Sequence, residues 1–548
     1  MSKYSNYQYG QVPKVNKSRS RFNLSKRLFT SMNVGELVPI YVQEVLPGDT
    51  FKIHETNVTR TSTPYIRPVM DNIFMDVHYF YVPNRLCYDK WVNVMGENTE
   101  SAWANTQSYQ VPTSAIGTVS SGSIADYMGL PVGKVPGGIN ILPFRAYALI
   151  YNEWFRDQNN IDPVYVNIGE RNNSEVFNNN DFSPNNYFGK PAKVGKLHDY
   201  FTSALPAPQK SANPVELYLN FQDMPVITGN VDNVGLSDYP LILKGSNGEL
   251  GTSSSVLGLG IGGEVTNFLS NTLEEEEYQL QPSNLIVSAD NFASGISVND
   301  FRYAMAIQRM LERAARYGSR YYEMLQGAFG VISPDSRLQR PEYLGGKRTP
   351  LNVQQVTSTV TEDSEGDALG KLGAYSLSNG RSRMTKSFVE HGFIIGVACL
   401  KTFKTYQQGI EKFWTRKEQA DYYDPELAHI GEVPVYSSEL YVDQYSVLNS
   451  TVFGYQEAWA DYKSAVSHVT GQMRTGISNS FDTYHFADYY ENAPVLGEEF
   501  INETPVFVDR TLSVPSTSVN SFLVNFYFEV VAYRAMPTYS VPSLVGHK

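Results

Sequence analysis

The sequence is poor in cysteine: its 548 residues include only Cys87 and Cys399. Two thiols cannot build a disulfide framework, and such scarcity is typical of proteins from a reducing compartment. Long apolar runs are also missing, so no segment approaches the roughly 20 residues that a membrane span requires. The N-terminus is polar and lacks the apolar centre of a signal peptide. The composition therefore argues against a disulfide-rich secreted protein and against a membrane protein.

Motifs of common enzyme chemistry are absent as well. The eight histidines are scattered without metal-ligand spacing, and neither the P-loop pattern nor the G-x-S-x-G elbow occurs. Residues 258–263 satisfy the G-x-G-x-x-G pattern, but no strand–helix–strand context surrounds them, so we interpret them as a flexible loop. We therefore predict no catalytic residue, no metal ligand and no cofactor. Carboxylates are plentiful, and a glycosidase pair among them stays open.

Alternating patterns and an aromatic content of 13% favour β-sheets. Residues 73–82 and 522–534 alternate between two faces in the manner of half-buried strands. Residues 388–400 are apolar on both faces, as in a central strand, and residues 37–45 and 50–58 resemble two strands joined by a turn. Because the strands near both ends of the chain must cover each other's apolar faces, we predict one two-sheet sandwich interrupted by long insertions.

Some connecting segments have recognisable patterns of their own. Residues 142–155 are predicted to be helical, and a second helix is predicted from residue 299 or 300 to about residue 326. Residues 351–385 are predicted to be an exposed polar hairpin or loop. The second helix carries a stripe of arginines: Arg302, Arg309, Arg313, Arg316 and Arg320. We interpret this stripe as a solvated face with local ion pairs or as a subunit contact, in preference to a DNA contact.

Charge is distributed unevenly along the chain. The net charge is −12, yet residues 1–35 contain seven Lys/Arg and no acid, whereas residues 212–297 contain eleven acids and one lysine. We interpret residues 1–35 as an extended arm, which is either a disordered solubilising tail or a phosphate-binding arm with aromatic side chains for base stacking. The candidate nucleic-acid-binding residues are Lys14, Lys17, Arg19, Arg21, Lys26 and Arg27.

A series of short motifs is spread over most of the chain. They are Pro47-Gly-Asp-Thr50, Pro68-Val-Met-Asp-Asn72, Leu142-Pro-Phe-Arg-Ala-Tyr147, Asn152-Glu-Trp-Phe155, Tyr200-Phe-Thr-Ser203, Pro206-Ala-Pro-Gln-Lys210, Ile307-Gln-Arg-Met-Leu-Glu-Arg313, Arg340-Pro-Glu-Tyr-Leu-Gly-Gly346, Asp488-Tyr-Tyr490 and Met536-Pro-Thr-Tyr-Ser-Val-Pro542. In this order they resemble the major capsid protein of gokushoviruses, small single-stranded DNA bacteriophages of the Microviridae.

The resemblance implies a viral jelly roll with large insertions, which assembles in the host bacterial cytoplasm into a T=1 icosahedral shell around circular single-stranded DNA. It also implies several partners: an internal scaffolding protein, a DNA-pilot protein, a small basic packaging protein and a host surface receptor. Residues 212–297 match nothing in the family pattern and would form a variable protrusion at the threefold axes. The arm could grip a neighbouring subunit or the scaffolding protein instead of DNA.

We therefore predict an all-β capsid protein located in the virion, without enzymatic activity or membrane insertion. The arm spans 1–35, the first part of the jelly roll 36–211, the acidic Gly-rich surface insertion 212–297, and the second part with the C-terminal strand 298–548. One alternative is a secreted-type β-sandwich glycosidase or carbohydrate-binding protein, which the missing signal peptide disfavours. A monomeric DNA-binding protein is disfavoured because the basic charge is confined to the first few dozen residues.

Overall fold

A computed structural model of the chain describes residues 18–97, 109–169, 176–211, 226–228, 243–244, 281–282, 285–287, 298–359, 370–442 and 447–539. The chain divides into two compact units, one composed of Met1–Lys210 with Glu312–Lys548 and the other of Ser211–Leu311.

Strands dominate the described residues. In chain order they are β1 (Ser20–Asn23), β2 (Lys26–Met32), β3 (Val38–Val45), β4 (Thr50–Thr61), β5 (Ile73–Pro83), β6 (Gly117–Val119), β7 (Gly133–Val135), β8 (Val226–Thr228), β9 (Leu243–Lys244), β10 (Gln281–Pro282), β11 (Leu285–Val287), β12 (Glu342–Leu351), β13 (Val353–Thr357), β14 (Leu372–Ser387), β15 (Gly392–Thr402), β16 (Glu432–Tyr436), β17 (Val452–Glu457) and β18 (Phe522–Arg534).

Most helices are short. They are α1 (Asn84–Cys87), α2 (Trp91–Val94), α3 (Ile124–Tyr127), α4 (Leu142–Ile150), α5 (Val298–Tyr317), α6 (Tyr321–Phe329), α7 (Ala460–Lys463), α8 (Glu498–Ile501) and α9 (Val506–Asp509). A π-helical turn over Tyr151–Phe155 continues α4. Single 3-10 turns occupy Lys412–Thr415, Gln419–Asp421, Pro425–Leu427, Ser437–Glu439, Gly471–Met473 and Asp482–Tyr484.

The long strands build a sandwich of two antiparallel sheets. Sheet A has the order β2–β18–β4–β14, with β1 also beside β18 and β13 beside β14, and sheet B has the order β12–β5–β15–β3. Each sheet interleaves early and late strands of the chain, which is the connectivity of a jelly roll. The predicted all-β jelly roll is confirmed, and the predicted strands at 73–82 and 522–534 lie on its opposite sheets as β5 and β18.

The sandwich core follows from the alternation along these strands. Val77 and Tyr79 on β5 belong to the same buried cluster as Phe526 and Phe528 on β18. Fully burying an apolar side chain of this size contributes roughly 1.5–3 kcal/mol. The other face of sheet B packs against α4 and its surrounding loops, and β15 contributes Ile395 to that second cluster. This double burial explains why β15 is apolar on both faces.

Sheet A contributes polar side chains to the sandwich interior. Glu55 on β4 faces inward and is 1% exposed. Its carboxylate accepts hydrogen bonds of 2.7 Å from Asn57 Nδ2 and from Ser382 Oγ on β14. Burial raises the pKa of Glu55 above the ordinary value of 4.5, although these hydrogen bonds oppose the shift.

Replacing this buried acid by its amide, Glu55→Gln, should stabilise the protein at neutral pH. The pKa of Glu55 is higher in the folded state than in the unfolded state. Its contribution to the free energy of unfolding is therefore fully present at low pH and is lost as the pH rises through the folded-state pKa. Glutamine preserves the shape without that loss. We expect the variant's advantage in unfolding free energy to grow as the pH rises from 4.5 to 8. Denaturant titrations across this range measure it, and a difference independent of pH would contradict it.

The hairpin alternative predicted for residues 351–385 is confirmed at its turn end, where β13 pairs antiparallel with the first residues of β14, but the predicted exposure is wrong for β14, one face of which is buried. Residues 353–357 form β13, and the 16 residues of β14 form a long strand within sheet A. The inward positions of β14 include Ser376, Ser378 and Ser382, which are polar and satisfied by hydrogen bonds inside the sandwich. Because the buried face of this strand is not apolar, the alternation that marks a half-buried strand is missing from its sequence.

Two predicted boundaries also change, whereas the helix predicted at 142–155 is confirmed as α4 and its π-helical turn. The single helix predicted from residue 299 or 300 to about 326 is in fact two helices, α5 and α6. Gly318 adopts a φ of +95° between them, a left-handed conformation that ends a helix. The strand predicted at 388–400 begins later, at Gly392.

The second half of the predicted arm is part of sheet A and is not an unpaired arm. β1 pairs with the end of β18, and β2 pairs with its beginning. Along β2, Leu28 is half-buried and Met32 is fully buried. This short alternation is dominated by polar neighbours, so the sequence shows no sustained period there.

Within the predicted surface insertion at 212–297, the structure describes the backbone of two strand pairs, β8 with β11 and β9 with β10. The threefold protrusion and the four-part division of the chain remain predictions. Across the described ranges, no helix combines the length and the apolar character needed to cross a bilayer.

Candidate nucleic-acid interface

The outward face of sheet A carries a concentration of basic side chains. On β4, Phe51 and Ile53 point into the core, so Lys52, His54 and Arg60 point outward and are exposed. The outward direction follows from the alternation of side chains along an extended strand. β4 therefore presents apolar side chains to the core on one face and basic side chains to the outside on the other.

The neighbouring strand β14 extends this basic surface. Arg381 and Arg383 are exposed, whereas the next residue, Met384, is buried. The two arginines therefore point away from the core. Arg381 lies opposite Thr56 of β4, and Arg383 lies opposite His54. Neighbouring strands are about 4.8 Å apart, so these side chains form a continuous surface with those of β4.

The arm and β18 complete the surface on the other side of β4. Arg21 of β1 lies opposite Tyr533, and Arg27 of β2 lies opposite Tyr527. The Arg27 guanidinium lies 5.5 Å from the centre of the Tyr527 ring. Lys52 Nζ lies 5.7 Å from the centre of the Tyr533 ring. Cations and aromatic rings therefore alternate across this part of the sheet.

We call this surface the basic face. Its members are Arg21, Arg27, Lys52, His54, Arg60, Arg381 and Arg383. The outward positions of β1, β2, β4, β14 and β18 include one carboxylate, Glu529, whose Oε2 lies 3.9 Å from His54 Nδ1. Phe29, Tyr375 and Tyr527 are exposed on the same side. Six permanent cations against one carboxylate favour an anionic polymer, and the aromatic rings offer stacking surfaces for bases.

One row across the sheet brings the arm together with the middle of the chain. Arg27 lies opposite Tyr527, Tyr527 lies opposite Thr56, and Thr56 lies opposite Arg381. Two arginines separated by more than 350 positions in the sequence therefore flank one exposed tyrosine. Arginine forks suit phosphate oxygens, and a tyrosine ring between them suits a base.

The six residues predicted from the sequence do not all reach this face. Lys14 and Lys17 lie outside the described residues. Arg19 is exposed at the sheet edge, where its Nη1 donates to Thr50 Oγ1 at 3.5 Å. Arg21 and Arg27 are on the basic face. Lys26 is directed the other way.

Lys26 lies opposite the core residue Phe528, so its side chain starts on the inner side of the sheet. Its Nζ donates to the carbonyl oxygen of Val42 at 3.3 Å and lies 4.5 Å from the centre of the Tyr41 ring. Burial lowers the pKa of this amine below its ordinary value of 10.5. These contacts indicate a packing role for Lys26 at the end of the sandwich.

Sequence reasoning missed four cations of the basic face: Lys52, Arg60, Arg381 and Arg383. A signal was present for the first two, because the alternation of residues 50–61 assigns them to the side opposite Phe51 and Ile53. No comparable signal exists for the two arginines of β14, because the inward positions of that strand are polar.

The described residues contain no cluster of three or more His, Cys, Asp or Glu side chains that could hold a metal ion. Cys87 and Cys399 are both free and buried. The basic face is therefore the arrangement among the described side chains that points most directly to a binding partner.

Comparison with known proteins agrees with the fold. A family model described as "Capsid protein (F protein)" matches residues 10–544. Capsid protein VP1 of Spiroplasma virus 4 is 38% identical over 96% of this chain and 95% of its own length. Capsid protein VP1 of Chlamydia phage 1 is 35% identical over 98% of this chain and 97% of its own. Capsid protein VP1 of Bdellovibrio phage phiMH2K is 34% identical over 100% and 99%. The chain therefore belongs to the phage F capsid protein family, whose members in the small phages of the Microviridae it matches over nearly its whole length.

Proposed function

We propose that copies of this chain assemble into a T=1 icosahedral shell that encloses circular single-stranded DNA, and that the chain has no catalytic role. Membership of the capsid family implies self-assembly into the shell of a virion. The observation that carries the proposed DNA contact is the basic face, where both described ends of the chain contribute to one outward sheet surface. In a closed shell the enclosed genome would be the anion that this surface meets.

The charge distribution supports an inward orientation of the basic face. The whole chain carries a net charge of −12, and residues 212–297 account for −10 of it. A polyanion inside the shell would attract the basic face and repel the acidic insertion. We therefore place the basic face towards the DNA and the insertion towards the outside, where it is available for attachment to the host surface.

Contacts of this kind would hold the DNA with little base preference. Phosphate contacts from Arg and Lys position a nucleic acid without reading its sequence, and stacking on aromatic rings tolerates every base. The further partners that the resemblance implies are an internal scaffolding protein, a DNA-pilot protein, a small basic packaging protein and a host receptor. They belong to the same proposal.

The DNA contact of the arm can be tested by changing all six predicted residues to glutamine. The changes are Lys14→Gln, Lys17→Gln, Arg19→Gln, Arg21→Gln, Lys26→Gln and Arg27→Gln. We expect shells that form normally but contain several-fold less DNA or fall apart at moderate salt, because fewer cations neutralise phosphates. The ratio of absorbance at 260 and 280 nm in gradient-purified particles gives the DNA content.

Normal DNA content and normal salt resistance in these particles would overturn the DNA role of the arm. Loss of assembly even without DNA would instead indicate that the arm grips a neighbouring subunit or the scaffolding protein. Electron micrographs of the unchanged protein should show closed particles of one size. A chain that stays monomeric under all assembly conditions would contradict the shell itself.

A further inference from the structure

Helix α6 exposes several large apolar side chains. None of its residues is buried, and Tyr321, Met324 and Phe329 are 64%, 44% and 70% exposed. The chain continues past the helix with Val331 and Ile332, which are 53% and 80% exposed. We call these five side chains the α6 apolar surface. A helix on a globular protein normally turns such residues towards the core and its polar residues towards water.

Polar contacts fix the other side of α6 to the π-helical turn that follows α4 and to the loop after it. Glu323 Oε2 accepts hydrogen bonds from Gln158 Nε2 at 2.8 Å and from the Arg320 backbone N–H at 3.1 Å. Arg320 Nη2 donates to the carbonyl oxygens of Asn152 at 2.6 Å and Arg156 at 3.3 Å. The helix is therefore anchored through its first turn, and this orientation leaves Tyr321, Met324 and Phe329 exposed.

Aromatic and ionic contacts further support this anchor. The Arg340 guanidinium lies 3.7 Å from the centre of the Tyr322 ring and 4.6 Å from that of Trp154. Its Nη2 also lies 2.6 Å from Asp335 Oδ1. The charged side chains of this anchor, Arg320, Glu323, Asp335 and Arg340, are thus paired within the chain. An interface centre needs this property, because unpaired charges there would have to be desolvated.

The size of the α6 apolar surface suits a protein contact. Large aromatic side chains offer about 150–250 Å² each, so the two aromatic residues alone expose on the order of 250 Å². With the three aliphatic side chains the total reaches roughly 500 Å², at the upper end of what a typical monomer exposes in one patch. A standard interface buries about 800 Å² per partner, so these side chains could supply most of one.

We propose that the α6 apolar surface is a contact between copies of this chain in the shell. The inference rests on the proposed shell and adds the residues that hold one subunit to the next. A second copy fits better than a lipid surface, because a membrane-binding helix would flank its apolar residues with unpaired lysines or arginines. Arg320 and Arg340 are instead both engaged within the chain.

Burial of this surface on assembly can be measured with the variant Ile332→Cys. The two native thiols are fully buried, and burial raises the pKa of each to about 12. Neither thiol should therefore react with a maleimide in the folded protein. We expect the new thiol to react rapidly in unassembled protein and at least ten-fold more slowly in particles made from this chain alone. Equal rates would overturn the proposal. Protection that requires another phage protein would also overturn it, because the occupant would then not be a second copy.

A double variant tests whether the contact is needed. Phe329→Gln with Ile332→Gln should leave the melting temperature unchanged, because both side chains are exposed, and should raise the concentration needed for assembly at least ten-fold. Val389→Gln with Val495→Gln is the matched control at similar exposure, and we expect it to assemble normally. Normal assembly of the first variant, or equal loss in both, would overturn the assignment. Unchanged protein that forms no particles would instead overturn the shell itself.

Discussion

Glutamine at the six permanent cations of the basic face is expected to abolish most of the affinity of this chain for single-stranded DNA. The changes are Arg21→Gln, Arg27→Gln, Lys52→Gln, Arg60→Gln, Arg381→Gln and Arg383→Gln. Each phosphate contact contributes a slope of roughly −0.7 to log affinity against log salt, so six contacts would give a slope of about −4. Binding of a fluorescent oligothymidine at several salt concentrations measures this slope, whose magnitude should be smaller by about 4 in the variant than in the unchanged protein.

A control variant that loses the same number of positive charges elsewhere distinguishes a DNA contact at the basic face from a general effect of net charge. The control set is chosen from the exposed cations off the basic face and consists of Lys134, Lys190, Lys193, Arg337, Lys417 and Arg474. Their replacement by glutamine changes the net charge equally and should retain most of the salt slope. An equal loss of slope in both variants would contradict a DNA contact at the basic face. All twelve positions are exposed, so each single change should alter stability by less than about 0.5 kcal/mol.

The second large effect is expected at a buried group of charges outside the basic face. Lys404 Nζ lies 2.6 Å from Glu503 Oε1 and 3.4 Å from Asp488 Oδ1, and Lys196 Nζ lies 2.9 Å from Asp488 Oδ2. All four side chains are at most 3% exposed. Burial alone would lower the pKa of Lys404, but Asp488 and Glu503 hold it above its ordinary value. Burial opposes the ionisation of Asp488 as well, but Lys404 and Lys196 hold the pKa of Asp488 below its ordinary value.

We expect Lys404→Met to destabilise the subunit by about 3–5 kcal/mol, because it leaves buried carboxylates without their cation. Denaturant unfolding of unassembled protein gives this value. The matched control is Lys463→Met, which removes an exposed lysine 2.7 Å from Glu457 and should change stability by no more than about 1 kcal/mol. A loss below 1 kcal/mol for Lys404→Met would show that the buried group contributes little.

Prediction from sequence succeeded where local pattern and tertiary burial agree. β5 and β18 alternate apolar and mixed faces, and each has one face in the core, so their sequences predicted them closely. The first residues of β4 also alternate between buried apolar and exposed polar side chains. α5 and α6 were merged because their helical patterns continue across Gly318, although this glycine's left-handed conformation separates them. The hairpin of β13 and β14 agrees with the sequence prediction, but the burial of β14 was not predicted, because its inward serines are polar and bond the Asn352 backbone or Glu55.

Of the six permanent cations of the basic face, two were predicted from the sequence and four were not. Arg21 and Arg27 stand out because no acid accompanies them in the first 35 residues. Arg381 and Arg383 do not stand out, and only the pairing of β14 with β4 and of β4 with β18 brings them to the same surface. Register between distant strands depends on non-local contacts, which a single sequence does not display.

The sequence by itself determined the family, the all-β class and the uneven charge, because motif order, alternation and composition are all local properties of the chain. The tertiary structure alone decided which cations share a face, why Lys26 is directed away from it, and why α6 turns its apolar side outward. Each of these depends on what lies across a strand pair or beneath a helix: Tyr527 between two arginines, Val42 beside Lys26, and Gln158 beneath Glu323. Such neighbours are set by packing between segments far apart in the chain.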